Sequence, residues 1–139
     1  MLGDFGFQVC VLAQHADADV SELATLLGRT PTHASRSGMP VTTPAGARPG
    51  GLYPDSRCLV EMASNEDGTL VECLGMTVSA LEPLRDYIQQ LKNSGGEVVV
   101  FARWYPNGDT GEALPAELLT RLGALGVELG FNVYGVRPG

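Results

Sequence analysis

The chain predicts an α+β two-layer sandwich, a mixed or antiparallel sheet of four or five strands with helices on one face, in the order β-α-β-α-α-β-α-β. Three observations carry that reading. Segments with the two-residue period of a pleated surface open and close the chain, at 5–13 and 128–134. Between them lie apolar patterns of helical period, several of which stop at a glycine. And 139 residues, 44% of them hydrophobic, suit one core. The closing strand ties both ends into a single domain, 1–139, since a terminal segment held by nothing frays.

In the first segment Phe5, Phe7, Val9 and Val11 alternate with Gly6, Gln8 and Cys10 as far as about Ala13, so one strand face is apolar. Asp19 then sits three residues before Glu22, the spacing of a capping box. Val20, Leu23, Ala24 and Leu27 follow at helical spacing, and Gly28 stands where a left-handed cap closes a helix.

From about 29 to 56 the chain reads as one long Pro/Gly-rich loop, with Pro31, Pro40, Pro44, Pro49 and Pro54 and glycines at 38, 46, 50 and 51. Proline fixes φ and removes a donor, so regular structure hardly propagates there. A loop of that length in a compact domain is commonly functional or disordered.

Cys58–Ala63 reads as the second strand, Glu66-Asp67-Gly68 as a turn, and Leu70–Val78 as a helix weakened by Gly75. Pro83 suits the first turn of a further helix, Leu84–Lys92, whose Leu84, Tyr87, Ile88 and Leu91 share a stripe. Two consecutive helices fit this stretch better than one kinked helix. Glu97–Tyr105 contains Val98, Val99, Val100, Phe101, Ala102 and Trp104 with little polar interruption, the pattern of a central strand covered on both faces. Pro106-Asn107-Gly108-Asp109 is a turn signature. Pro115 opens a helix through Leu118, Leu122 and Leu125 to Gly126, and Glu128–Tyr134 is the closing strand. A ferredoxin-like variant is the nearest familiar shape; the sequence does not fix strand order.

The three cysteines, Cys10, Cys58 and Cys73, lie in apolar runs without a Cys-x-x-Cys spacing and read as buried, reduced thiols. No charged segment followed by a short apolar one opens the chain, and no apolar run reaches the roughly 18 residues of a membrane span. A cytoplasmic location without membrane contact is the expectation.

Several of these pieces together resemble the uncharacterised, mostly bacterial family of domain of unknown function 4279. They are the first strand leading to an acidic-capped helix ending Leu26-Leu27-Gly28, Pro31 shortly after it, the variable loop, the paired helices around Leu81 to Leu91, and the closing Leu129-Gly130-Phe131 with Tyr134. Arg57-Cys58 stands where members of that family tend to open the second strand with a tryptophan. The resemblance implies an α/β domain without an assigned activity, and it carries no functional residue to this chain.

The chemistry-bearing residues are few. A nucleophile needs a base within reach, and the only histidines are His15, in a polar turn after the first strand, and His33, in the proline-rich segment. Neither belongs to a catalytic motif, and no His or Cys pair has zinc-ligand spacing. Gly108 to Gly111 lacks the lysine of a phosphate-binding loop. Glu66 with Asp67, and Asp109 with Glu112, lie in turns where acidic residues are ordinary. Trp104, Tyr53, Tyr105 and Tyr134 read as core or cross-strand packing before they read as a stacking patch. No catalytic residue, metal or cofactor is expected.

Charge is the one departure. Between Gly28 and Cys58 stand Arg29, Arg36, Arg48 and Arg57 against Asp55 alone, whereas the rest of the chain is strongly acidic and the whole carries −7. Such a loop can fold back on its own acidic body, dock on an acidic partner protein, or hold a small anion through planar bidentate hydrogen bonds. Arg29, His33, Arg36, Arg48 and Arg57 are therefore the candidate binding residues. Nucleic acid is disfavoured, because phosphate binding rewards a net basic surface. The leading expectation is a non-enzymatic protein-interaction module of accessory or immunity type, monomeric or homodimeric. The alternative is a binder of, or enzyme acting on, a small anionic ligand.

Overall fold

The alternation at the start of the chain builds the middle of the sheet. In a computed structural model, which describes residues 5–41, 51–106 and 110–135, strand β1 runs Phe5–His15. Its Phe7, Val9, Val11 and Ala13 are buried. β2 is His33–Ser35, β3 Ser56–Ser64, β4 Glu97–Pro106 and β5 Glu128–Val133. The sheet order is β2-β3-β1-β4-β5, antiparallel except for the parallel pair β4–β5. Helices α1 (Glu22–Leu27), α2 (Leu70–Leu81), α3 (Arg85–Asn93) and α4 (Ala116–Leu125) pack on one side. The fold is thus an α+β sandwich with a five-stranded mixed sheet.

The core lies between the sheet and this helix layer. Val9, Val11, Val60, Val98 and Val100 meet Leu23, Leu70, Leu74, Leu81, Ile88, Leu122 and Leu125, all fully or nearly fully buried. Burying each such side chain is worth about 1.5–3 kcal/mol against leaving it in water. β3 carries a bulge: Val9 pairs with Ala63 and Cys10 with Glu61, leaving Met62 as the extra residue. Met62 and Ala63 are consequently both buried.

Local chemistry sets the boundaries. Gly28 and Gly126 have φ of 67° and 71° and close α1 and α4 as left-handed caps. The capping box expected at Asp19 and Glu22 is not formed: Ser21 is the N-cap, and the Asp19 carboxylate accepts the Ser21 N–H at 2.9 Å instead. The box occurs one helix later, where Thr69 accepts the Glu72 N–H and Glu72 accepts the Thr69 N–H. Pro83 sits in a 3₁₀ turn, Glu82–Leu84, that separates α2 from α3, as two consecutive helices require.

Two expectations are corrected. The segment 29–56 is not one irregular loop: β2 pairs with β3, and Gly38–Val41 then pairs with Gly51–Tyr53 to prolong the hairpin into an arm. Pro40 is tolerated because the inward bonds are made by its neighbours, Tyr53 N–H to Met39 O and Val41 N–H to Gly51 O. And β4 carries helices on one face only. Val99 and Phe101 point to the other face, so the unbroken apolar run reflects the shelter of flanking strands rather than a second layer. The turn read at 106–109 lies outside the described residues beyond Pro106.

Candidate functional site

With the helices on one side, the other face of the sheet is open, and the register places its side chains in rows. His33, Leu59, Leu12, Val99 and Glu128 stand opposite one another across β2, β3, β1, β4 and β5. On one side of this row are Ser35, Arg57, Gln14 and Glu97; on the other are Glu61, Cys10, Phe101 and Gly130. Beyond these come Gln8, Arg103 and Asn132. Leu12, Leu59, Val99, Cys10 and Phe101 make an apolar centre bounded by charged and amide side chains. A protein-binding surface has this anatomy, an apolar core within a polar rim.

Gly130 owes its place to Phe101. A side chain at Gly130 would begin 2.7 Å from Phe101 Cε1 and 2.8 Å from Cδ1, so the ring covers the glycine across the β4–β5 pair. The Leu-Gly-Phe block near the end of the chain therefore has a packing origin. Leu129 turns into the helix side, Gly130 makes room for Phe101, and Phe131 shares the helix-side face with Trp104 at 6.3 Å. The remaining aromatics also pack across strands: Phe5 stacks on Trp104 at 4.3 Å and Tyr105 on Tyr134 at 4.8 Å. Trp104 Nε1 donates to Thr110 Oγ1 at 2.9 Å.

The candidate cations cluster at the β2–β3 end of this face, but each has a neighbour of its own. Arg57 grips Asp55 with Nε and Nη2, at 3.1 and 3.2 Å. Arg29 donates to the Glu61 carbonyl at 3.3 Å. Arg36, just beyond β2, faces Asp19, whose carboxyl is held below its usual range by the Ser21 N–H and hydroxyl, with Arg36 adding to the effect. His33 is exposed beside the edge of the Tyr53 ring at 6.4 Å. Arg48 lies outside the described residues. The hairpin thus brings His33 and Arg57 to one face as diagonal neighbours, while Arg29 and Arg36 flank it.

The hollows nearby have the wrong sign for an anion. One of about 270 Å³ sets Arg29 among Glu61, Asp67, Gln8 and Ser64. Another, of about 250 Å³, is bordered by Asp55, Glu97 and Gln14 beside His15. The second histidine and the thiols are engaged or sheltered. His15 Nδ1 accepts the N–H groups of Asp17 and Ala18 at 2.9 and 2.8 Å, which leaves the proton on Nε2 to be donated to the Ser94 carbonyl at 2.9 Å. This buried histidine is a clasp between the turn after β1 and the turn after α3. Burial pushes the thiols of Cys10, Cys58 and Cys73 up, and all three are free. Among the described residues, no three His, Cys, Asp or Glu side chains are grouped to hold a metal ion, and no helix is long and apolar enough to cross a membrane.

These features define a one-layer-covered α+β domain whose open sheet face carries a half-buried apolar band, with Leu12, Leu59 and Phe101 partly exposed and Cys10 and Val99 sheltered among them. The chain belongs to the family described as domain of unknown function (DUF4279), whose model matches residues 9–136, nearly its full length. No curated protein and no solved structure gives a match to it. The matched stretch includes the open face from β1 to β5 apart from Gln8. The sequence pointed to the basic end of that face and missed its apolar centre; the signal was Val99 and Phe101, the out-of-phase members of the β4 run.

Proposed function

We propose that this protein is a bacterial, cytoplasmic, non-enzymatic interaction module of accessory or immunity type, which binds another protein through the open sheet face and the adjoining β2–β3 hairpin. The observation that carries the reading is the cross-sheet row His33, Leu59, Leu12 and Val99, apolar at its centre and bounded by Arg57, Glu61, Gln8 and Arg103. The hairpin end presents Arg29, His33, Arg36 and Arg57, and the far end presents Glu97 and Glu128. A partner of matching polarity, acidic over the hairpin, meets complementary charge along the whole strip. Buried free thiols accord with a reducing compartment.

The alternative, a small anion held by Arg29, His33, Arg36 and Arg57, has less support, because Arg57 already holds Asp55 and the hollow beside Arg29 contains two carboxylates. The test is capture of partners at low salt from native cells, followed by affinity measurement with Leu59→Lys and Arg57→Glu proteins. Both substitutions fall outside the buried core, so the fold persists. The reading expects each to weaken binding at least tenfold, with the arginine effect fading as salt rises. Unchanged affinity in both would overturn it.

A further inference from the structure

The two edges of the sheet are built differently. On the hairpin side the edge strand β2 has only three residues and lies between Pro31 and Pro40 with Arg36 beside it, the devices by which proteins keep strand edges from pairing. On the other side β5 runs six residues in unbroken register with β4, with no proline, no bulge and no Lys or Arg. Its one charge is Glu128, at the first position. Among the described residues no strand pairs with its outer side.

Backbone and side chains coincide on that outer side. Tyr134 donates its N–H to Trp104 O, so the even-numbered positions turn their backbone groups toward β4. The odd-numbered residues Leu129, Phe131 and Val133 therefore direct their N–H and C=O outward. Phe131 and Val133 are also the exposed apolar residues of the strand, at 43% and 66%.

We propose that β5 pairs antiparallel with β5 of a second copy of this chain, about a two-fold axis at Phe131, to give a continuous ten-stranded sheet. The occupant follows from charge and symmetry. A two-fold contact must match itself, and two chains of net charge −7 repel wherever their acidic surfaces meet. On this axis Phe131 faces its own copy, Leu129 faces Val133, and the two Glu128 carboxylates lie about 20 Å apart at ~3.3 Å per residue. That exceeds the Debye length of about 8 Å at physiological salt. β5 is thus a neutral seam along which two acidic molecules can meet. An acidic or basic foreign partner would find no complementary charge there. The seam uses the outer backbone edge of β5, whereas the heterologous partner is assigned the open sheet face, which reaches β5 at Glu128.

Sedimentation equilibrium of the intact protein between about 1 and 200 µM reads this out directly. The expected result is a reversible dimer whose dissociation constant changes less than threefold between 50 and 500 mM salt. Val133→Lys and Val133→Pro, the first placing charge on the seam and the second removing an outward donor, should each weaken it at least tenfold without lowering the melting temperature of the monomer. A monomer at every concentration, open-ended association, or a dimer that survives both substitutions would each overturn the proposal.

Discussion

Replacing Gly130 with alanine sets two opposed effects against each other at the β5 margin of the open face. In an ordinary strand the change is favourable by about 0.4–1 kcal/mol, because alanine loses less chain entropy on folding. Here the new methyl begins 2.7 Å from Phe101 Cε1, so the ring must leave its place over β5. Forcing a methyl into a packed site costs roughly 1–3 kcal/mol, and the net expectation is a loss of about 1 kcal/mol, or about 3–4 °C in melting temperature for a domain of this size. The assay is a double-mutant cycle by urea denaturation. In a Phe101→Ala background the ring is gone and Gly130→Ala should become neutral or stabilising, giving a coupling energy of about 1–3 kcal/mol. Stabilisation by Gly130→Ala in the wild-type background, or an equal effect in both, would refute the argument that Phe101 dictates the glycine.

Other outcomes follow from single contacts. His15→Ala should cost about 2–4 kcal/mol, since it leaves the N–H groups of Asp17 and Ala18 and the Ser94 carbonyl without their partner; nitrogen-15 NMR should show the Nε2–H tautomer. Among the described residues the buried Tyr87 hydroxyl has no hydrogen-bond partner, so Tyr87→Phe should be neutral or stabilising by up to about 1 kcal/mol. Burial pushes that phenol up to about 12 from its ordinary value of 10.0. Folding therefore favours the neutral phenol, and stability should fall as pH rises from 10 toward 12 in the wild type but not, from this source, in Tyr87→Phe. Thr69→Ala should cost about 1 kcal/mol in denaturation by removing the α2 cap. Ellman's reagent should find the three thiols slow in the folded protein and all reactive after unfolding.

Much of the fold was legible because its signals are local. The alternation of Phe5, Phe7, Val9 and Val11, the stops at Gly28 and Gly126, and Pro83 between two helices each encode a boundary within a few residues. What stayed hidden depends on pairing across the chain. Pro40 looked like a breaker, and only its position in the ladder, with Met39 and Val41 making the inward bonds, shows why a strand survives there. The exchange of Asp19 for Thr69 as the residue at the head of a capping box depends on where the preceding turn delivers the chain. The site divides in the same way. Charge counting along the chain singled out the segment with Arg29, Arg36, Arg48 and Arg57, because a charge imbalance between segments needs no knowledge of pairing. The row joining His33 to Leu59, Leu12 and Val99 requires the β2-β3-β1-β4 order, which no residue specifies by itself.

The claim that this sheet face binds a partner protein is tested most directly by comparing what wild-type and Leu59→Lys proteins retain from native cells at low salt, once both are shown to melt alike. The account predicts a stoichiometric protein partner with the wild type, reduced at least tenfold with Leu59→Lys and restored by no added small anion. Equal retention of that partner by both proteins, or a small molecule held in place of any protein, would contradict it.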